Sequence, residues 1–184
     1  MQSACPEWHK LRESRLTASK FKRVTGRKKE HAKLAADLMT KKFVQTAAMK
    51  HGIECEPEAA KKYAECHLVN VYPVGVFINP SATHLACSPD RRVYDPTETP
   101  AWGLLEVKCP VKQSFTECEY LKQNPTTLKY ELKKKHEYYI QVKGQMGLTG
   151  AKWCDFLCIL KMIITWRESI SLGYTQLVPI NLQL

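Results

Sequence analysis

The chain has 184 residues, 44% of them apolar, and carries 28 Lys and Arg against 18 Asp and Glu for a formal net charge of +10. That length and apolar content suit one domain with its own core and exclude a disordered polypeptide. The charge favours an anionic partner such as nucleic acid over an acidic protein or a membrane, with a solvated basic surface as the bland alternative. The eight cysteines form no C-x-x-C pair and sit mostly among apolar residues, which predicts reduced, buried thiols. Cys154 and Cys158 lie on a predicted strand, where their spacing suits buried side chains better than zinc ligands. Met1 to Lys10 has no apolar signal core, and Phe156 to Trp166 is too short, and too broken by Lys161, to span a bilayer. The expectation is an intracellular, soluble protein without a membrane partner, its compartment open.

In chain order, Trp8 to Arg12 leads to Leu16-Thr17-Ala18-Ser19, where Thr17 or Ser19 is placed to cap a short helix ending near Gly26. Lys20, Lys22, Arg23, Arg27, Lys28 and Lys29 form a basic cluster around it. Leu34 and Leu38 predict a second helix. Ala48, Gly52, Cys55, Ala59, Tyr63 and Cys66 predict a third, which Pro57 should kink or restart beside Glu56. Asn70 to Asn79 reads as one edge or bulged strand because it contains Pro73 and Gly75. Further strands are expected at Thr83 to Cys87, around Arg92 to Tyr94, and at Leu104 to Lys108, with Asp95 to Pro100 as a loop. Ser114 to Gln123 suggests a helix, Asn124-Pro125 a turn and Lys133 to Gly150 a long helix. On that helix Tyr139, Val142, Met146 and Thr149 form one stripe, and Tyr138, Gln141, Gln145 and Leu148 the adjacent one. Trp153 to Leu160 is the last predicted strand.

The chemistry concentrates in Ser88-Pro89-Asp90 and in Gly103 to Pro110. Glu106 and Lys108 are two apart, so on a strand they share a face at about 6.7 Å while Val107 points the other way. Ionisable groups on so apolar a strand need compensation, and a divalent cation is the simplest for the acids. Asp90 and Glu106 offer oxygen ligands suited to Mg²⁺ or Mn²⁺, and the Val107 carbonyl offers another. Lys108, desolvated beside the metal, is expected to have a lowered pKa and to help deprotonate or orient a water. Glu56 adds a third carboxylate from its helix. Taken singly, Asp90 is a turn residue, Glu106 and Lys108 an exposed ion pair, and Glu56 a solvated charge; only the joint arrangement points to phosphodiester cleavage.

The segments WHKLRESRLTAS (Trp8 to Ser19), the Gly52, Glu56, Ala59, Tyr63 pattern, CSPD (Cys87 to Asp90), LLEVKCP (Leu104 to Pro110) and YYIQVKGQM (Tyr138 to Met146) occur in this order. With them the chain resembles the lambda-exonuclease-like (YqaJ-type viral recombinase) nucleases of the PD-(D/E)xK superfamily, over about Trp8 to Leu160. The resemblance implies an α/β, restriction-endonuclease-like core whose central mixed β-sheet is flanked by α-helices. It also implies Mg²⁺-dependent hydrolysis of DNA, with Mn²⁺ as a substitute.

By the same resemblance, Asp90 and Glu106 match metal ligands, Lys108 the catalytic lysine, Glu56 the supporting helical acid, and Gln141 the glutamine beyond the active strand. Arg12, Ser19 and Ser88 match positions that bind a terminal 5′ phosphate, for which a guanidinium fork and hydroxyls are chemically suited. Ser19 equally suits a helix cap, Ser88 the shaping of a turn, and Gln141 a solvated helix face. The implied partners are double-stranded DNA with free ends, a homo-oligomer (a ring trimer) and a strand-annealing recombinase. The expected domains are 1–160, the nuclease, and 161–184, a divergent, truncated or aberrant end that matches no family pattern. The leading expectation is an exonuclease on duplex ends in recombination or DNA processing. The alternatives are an inactive DNA-binding module with a nuclease fold and a structure-specific endonuclease.

Overall fold

The computed structural model describes residues 2, 5–40, 45–160, 165–171 and 175–177. Helix α1 (Pro6–Glu13), not expected from the sequence, has Pro6 in its first turn, Glu7 beside it and Lys10 and Arg12 in its last turn. Proline needs no amide partner there, and both charge signs suit the helix dipole. The short strand β1 (Leu16–Thr17) follows, then a 3₁₀ turn (Ala18–Lys20) and α2 (Phe21–Thr25), capped at Gly26. That element ends where the sequence places it, but neither hydroxyl caps it: Thr17 Oγ1 and Ser19 Oγ bond each other at 3.1 Å.

Helix α3 (His31–Thr40) buries Leu34, and α4 (Ala47–His67) starts at Thr46, whose side chain accepts from the Met49 amide at 3.2 Å. Of the two outcomes expected at Pro57, the restart does not occur: α4 continues through Pro57 as one helix. One missing amide is outweighed there by Ala59, Ala60 and Tyr63, all buried against the sheet. The Tyr63 hydroxyl also donates to the buried Asp155 carboxylate, tying α4 to the centre of the sheet.

The predicted strand at 70–79 is two strands in different sheets, β2 (Asn70–Pro73) and β3 (Phe77–Asn79), because Pro73 and Gly75 break the ladder between them. Then come β4 (Ala82–Cys87), β5 (Arg91–Tyr94) and β6 (Trp102–Lys108). The helix expected over Ser114 to Gln123 is instead a 3₁₀ turn (Phe115–Glu117) leading into the small hairpin β7 (Leu121–Gln123) and β8 (Tyr130–Leu132). Helix α5 (Glu137–Thr149) starts later than expected, at the His136 cap, and ends at Gly150, which takes the left-handed conformation with φ 78°. Strand β9 (Trp153–Ile159) follows.

Strands order as β11-β10-β9-β6-β5-β2 in the main sheet, where β10 is Thr165–Ser171 and β11 is Thr175–Leu177; β1-β4-β3 form a second sheet. The β6–β9 pair is parallel and its neighbours antiparallel, so the sheet is mixed. Of the segment 161–184, the backbone at 165–171 and 175–177 extends this sheet beside β9, and the rest lies outside the described residues.

Both faces of the sheet are covered at its centre. Leu105, Val107, Leu157 and Val93 pack with α4, whereas Leu104, Phe156, Cys154 and Cys158 pack with Val142 and Met146 of α5. Each large apolar side chain removed from water here contributes about 1.5–3 kcal/mol, which explains why β6 and β9 read as nearly continuous apolar runs. All eight cysteines are free thiols; five are buried, but Cys66 is exposed on α4.

Candidate active site

Strand alternation sends Glu106 toward α5 and Val107 toward α4. Glu106 is only 2% exposed, yet both of its carboxylate oxygens are occupied. Oε1 accepts from Lys108 Nζ at 2.5 Å and from Gln141 Nε2 at 2.6 Å, and Oε2 accepts from Gln145 Nε2 at 2.7 Å. Gln141 and Gln145 are one helical turn apart on α5, so they reach the carboxylate side by side. Lys108 Nζ also lies 3.3 Å from the Val107 carbonyl and 4.9 Å above the Tyr138 ring.

Asp90 closes the group from the turn between β4 and β5. The pairing of Arg91 with Leu105 sets Asp90 across from Glu106, and Asp90 Oδ2 accepts from the Val107 amide at 2.7 Å. Burial, then the nearby Glu106 carboxylate, raise the Asp90 pKa well above the usual carboxylate range. Burial works to lower Lys108, but with both carboxylates free of a cation Glu106 and Asp90 together outweigh it and hold the ammonium above its ordinary pKa. Burial also pushes the Cys87 and Cys109 thiols up to about 12, so neither is a nucleophile at neutral pH.

Glu56 sits apart from this convergence. Its Oε1 accepts from Arg91 Nη1 at 2.5 Å, and the same nitrogen donates to the Asp90 carbonyl at 2.6 Å. The Glu56 charge adds to the effects that raise Asp90, but among the described residues no three His, Cys, Asp or Glu side chains gather as a metal-holding group. The oxygen donors that do come together, Asp90, Glu106 and the Val107 carbonyl, suit a hard divalent cation, and the crowding that raises Asp90 is the stress such a cation would relieve.

A cationic corner adjoins the carboxylates. Arg12, at the end of α1, lies 4.1 Å above the Trp8 ring and donates to Ser88 Oγ at 2.9 Å. Burial lowers the Arg12 pKa, while Glu106 and Asp90 act to raise it, so this guanidinium lies within electrostatic reach of both acids. Ser19 Oγ bonds Thr17 Oγ1, not Arg12 or Ser88, but β1 runs parallel to β4 with Thr17 beside Ala86, so Ser19 and Ser88 leave the same end of adjacent strands. Lys20 is a further cation here, its pKa lowered by burial and then by Arg12.

Sequence reasoning did not assign roles to Gln145, Arg91 or Lys20. Gln145 had a readable signal, since it shares a predicted stripe with Gln141; the Arg91–Glu56 pair had none, because its partners are distant in sequence.

The fold and this site define a mixed α/β core of the restriction-endonuclease type. Residues 7–152 match the family model of the YqaJ-like viral recombinase domain, a span that holds every candidate residue above. The chain belongs to that family. It is similar to the solved alkaline exonuclease LHK-Exo from Laribacter hongkongensis, with 29% identity, a TM-score of 0.69, and coverage of 91% of this chain and 82% of that one. The complex of LHK-Exo with dAMP matches at 28% identity and TM-score 0.70, with the same coverage. A phage-related exonuclease from Haemophilus somnus 129PT, at 16% identity, TM-score 0.54 and coverage of 79% of this chain and 68% of that one, shares the fold. No curated protein sequence matches the chain. Among the described residues no helix is long and apolar enough to cross a membrane.

Proposed function

We propose that the protein is a Mg²⁺-dependent deoxyribonuclease that degrades DNA as an exonuclease from duplex ends, with Mn²⁺ as a substitute metal. The observation that carries this reading is the convergence of Asp90, Glu106 and Lys108 at the ends of β5 and β6, with both Glu106 oxygens held. Its similarity to alkaline exonuclease LHK-Exo supports the same chemistry, and the dAMP complex of that relative supports a nucleotide-sized site.

Asp90, Glu106 and the Val107 carbonyl would hold the ion. Once bound, a divalent cation stabilises negative charge on the scissile phosphate and makes a water more acidic. Gln141 and Gln145 fix the Glu106 carboxylate so that it does not rotate away from the phosphate. Lys108 supplies a positive charge and hydrogen-bond donors where a phosphate oxygen or the attacking water sits. Arg12, with Ser88 and Ser19, receives the terminal 5′ phosphate, and Lys20 adds charge to that pocket. Glu56 acts through Arg91, which grips the Asp90 backbone.

A second reading, a DNA-binding module without turnover, is favoured by one observation: Glu56 is neutralised by Arg91 instead of joining Asp90 and Glu106. Digestion of end-labelled linear DNA and closed circular DNA with Mg²⁺, with and without a 5′ phosphate, separates the readings. The exonuclease reading expects loss of linear DNA only, faster with the phosphate. Cleavage of the circle would make the protein an endonuclease, and binding without digestion would make it a DNA-binding module. Strand-annealing partners and a ring trimer belong to the same proposal, and sedimentation of the purified chain checks the latter.

A further inference from the structure

The face of the main sheet that carries Glu106 continues past α5 to the β2 edge. Antiparallel register sets Trp102 opposite Tyr94, Leu104 opposite Arg92, and Arg92 opposite Tyr72. Opposed residues share a face, as do residues two apart, so Tyr72, Arg92, Tyr94 and Trp102 all lie on the Glu106 side. Helix α5 covers this face around Leu104 and Phe156 but leaves Tyr72 45% and Trp102 38% exposed.

The exposed residues form one surface. The Arg92 guanidinium lies 3.9 Å over the Trp102 ring, and the Tyr94 and Tyr72 rings stand 5.0 and 5.6 Å from it. Among the described residues no carboxylate pairs with Arg92. Trp102 is four residues from Glu106 along β6, about 13 Å at strand rise, and Arg92, opposite Leu104, lies two residue pairs closer. Large rings are costly to leave in water unless something covers them, and here the uncovered rings carry an unneutralised cation.

We propose that Tyr72, Arg92 and Trp102 form a stacking platform for unpaired bases of a single DNA strand running along the sheet face beside the carboxylate–lysine site. The occupant's chemistry follows from the surface: flat rings take the π-face of any base, Arg92 takes its phosphate, and the net charge of +10 draws a polyanion. The platform shares a continuous strand face with Glu106, which places its ligand beside the reacting strand and not on a separate surface. This inference rests on the nuclease reading for its role but not for its binding chemistry.

The test uses the full chain in EDTA, where no metal-dependent hydrolysis occurs, and a dye-labelled single-stranded oligo-dT read by fluorescence anisotropy. A blunt duplex of equal length serves for comparison. Trp102→Ala and Tyr72→Ala are each expected to weaken oligo-dT binding by about 5- to 150-fold, as the loss of one stacked base predicts, and to leave duplex binding within about twofold. Trp102→Phe should retain most of the affinity, and Arg92→Gln should lower the slope of log K against log salt by about one unit. If Trp102→Ala melts early, Tyr72→Ala and Arg92→Gln decide, since both positions are exposed.

Wild-type affinity for oligo-dT in folded Trp102→Ala or Tyr72→Ala overturns the proposal. So does an equal loss on duplex, or loss of a dimer by Trp102→Ala without a change in strand binding. Ring-dependent strand binding in a wild type that digests nothing with Mg²⁺ keeps the platform and removes the nuclease reading. Digestion with ring-independent binding does the reverse.

Discussion

Replacing Gln145 with methionine isolates the part of the site that holds Glu106. The amide donates to Glu106 Oε2 at 2.7 Å, while Gln145 Oε1 is buried and has no hydrogen-bond partner among the described residues. A hydrogen bond to a carboxylate is worth about 1.5–3 kcal/mol, and an unpaired buried acceptor costs about 1–3 kcal/mol. Methionine, of similar length, removes both, so global stability should move by less than about 1.5 kcal/mol. Activity should not be spared in the same way. A Glu106 held by Lys108 and Gln141 through Oε1 alone is free to turn, and losing such a supporting bond typically costs about 10- to 100-fold in activity or metal affinity. Urea denaturation followed by a Mg²⁺ titration of digestion on end-labelled linear DNA measures both quantities. A folded Gln145→Met protein with wild-type activity across the Mg²⁺ titration would refute the positioning role. A stability loss above about 3 kcal/mol would show instead that Gln145 holds the core.

Three further outcomes are expected. Arg91→Ala leaves Glu56, whose side chain is 30% exposed, without its 2.5 Å partner and should cost about 1–2 kcal/mol by chemical denaturation; a double-mutant cycle with Glu56→Ala should return a coupling of about 1 kcal/mol. Gly144→Ala would place a methyl 2.5 Å from the Phe21 ring, which opens the element after Ser19, and should lower stability by about 1–3 kcal/mol in a thermal melt. Arg12→Lys keeps the charge but loses the fork, so the ratio of kcat/KM on 5′-phosphoryl and 5′-hydroxyl ends should fall by about tenfold or more.

Strand β6 was legible because Leu104, Leu105 and Val107 are buried on both faces of a covered sheet and flank an acid and a lysine two apart. The end of α5 was legible because only a left-handed residue such as Gly150 stops it there. The hairpin β7–β8 was not, since three-residue strands show no period and the surrounding polar residues mimic a helix face. Asn70 to Asn79 has the composition of one strand, but the chain crosses between sheets inside it. Of the site, Asp90, Glu106 and Lys108 were readable as types at a spacing. The grip on Glu106 from two α5 glutamines, and the capture of Glu56 by Arg91, depend on register between β6, α5 and α4 that no local pattern encodes.

The central claim is that Asp90, Glu106 and Lys108 hydrolyse DNA with a divalent ion. The most direct measurement is release of labelled nucleotide from linear duplex DNA by wild type, Glu106→Ala and Lys108→Ala, with Mg²⁺ and then with EDTA. The account predicts Mg²⁺-dependent release by wild type that EDTA stops and that each substitution lowers by at least about a hundredfold while the proteins stay folded. Release that persists in EDTA, or at equal rate in the two variants, would contradict it.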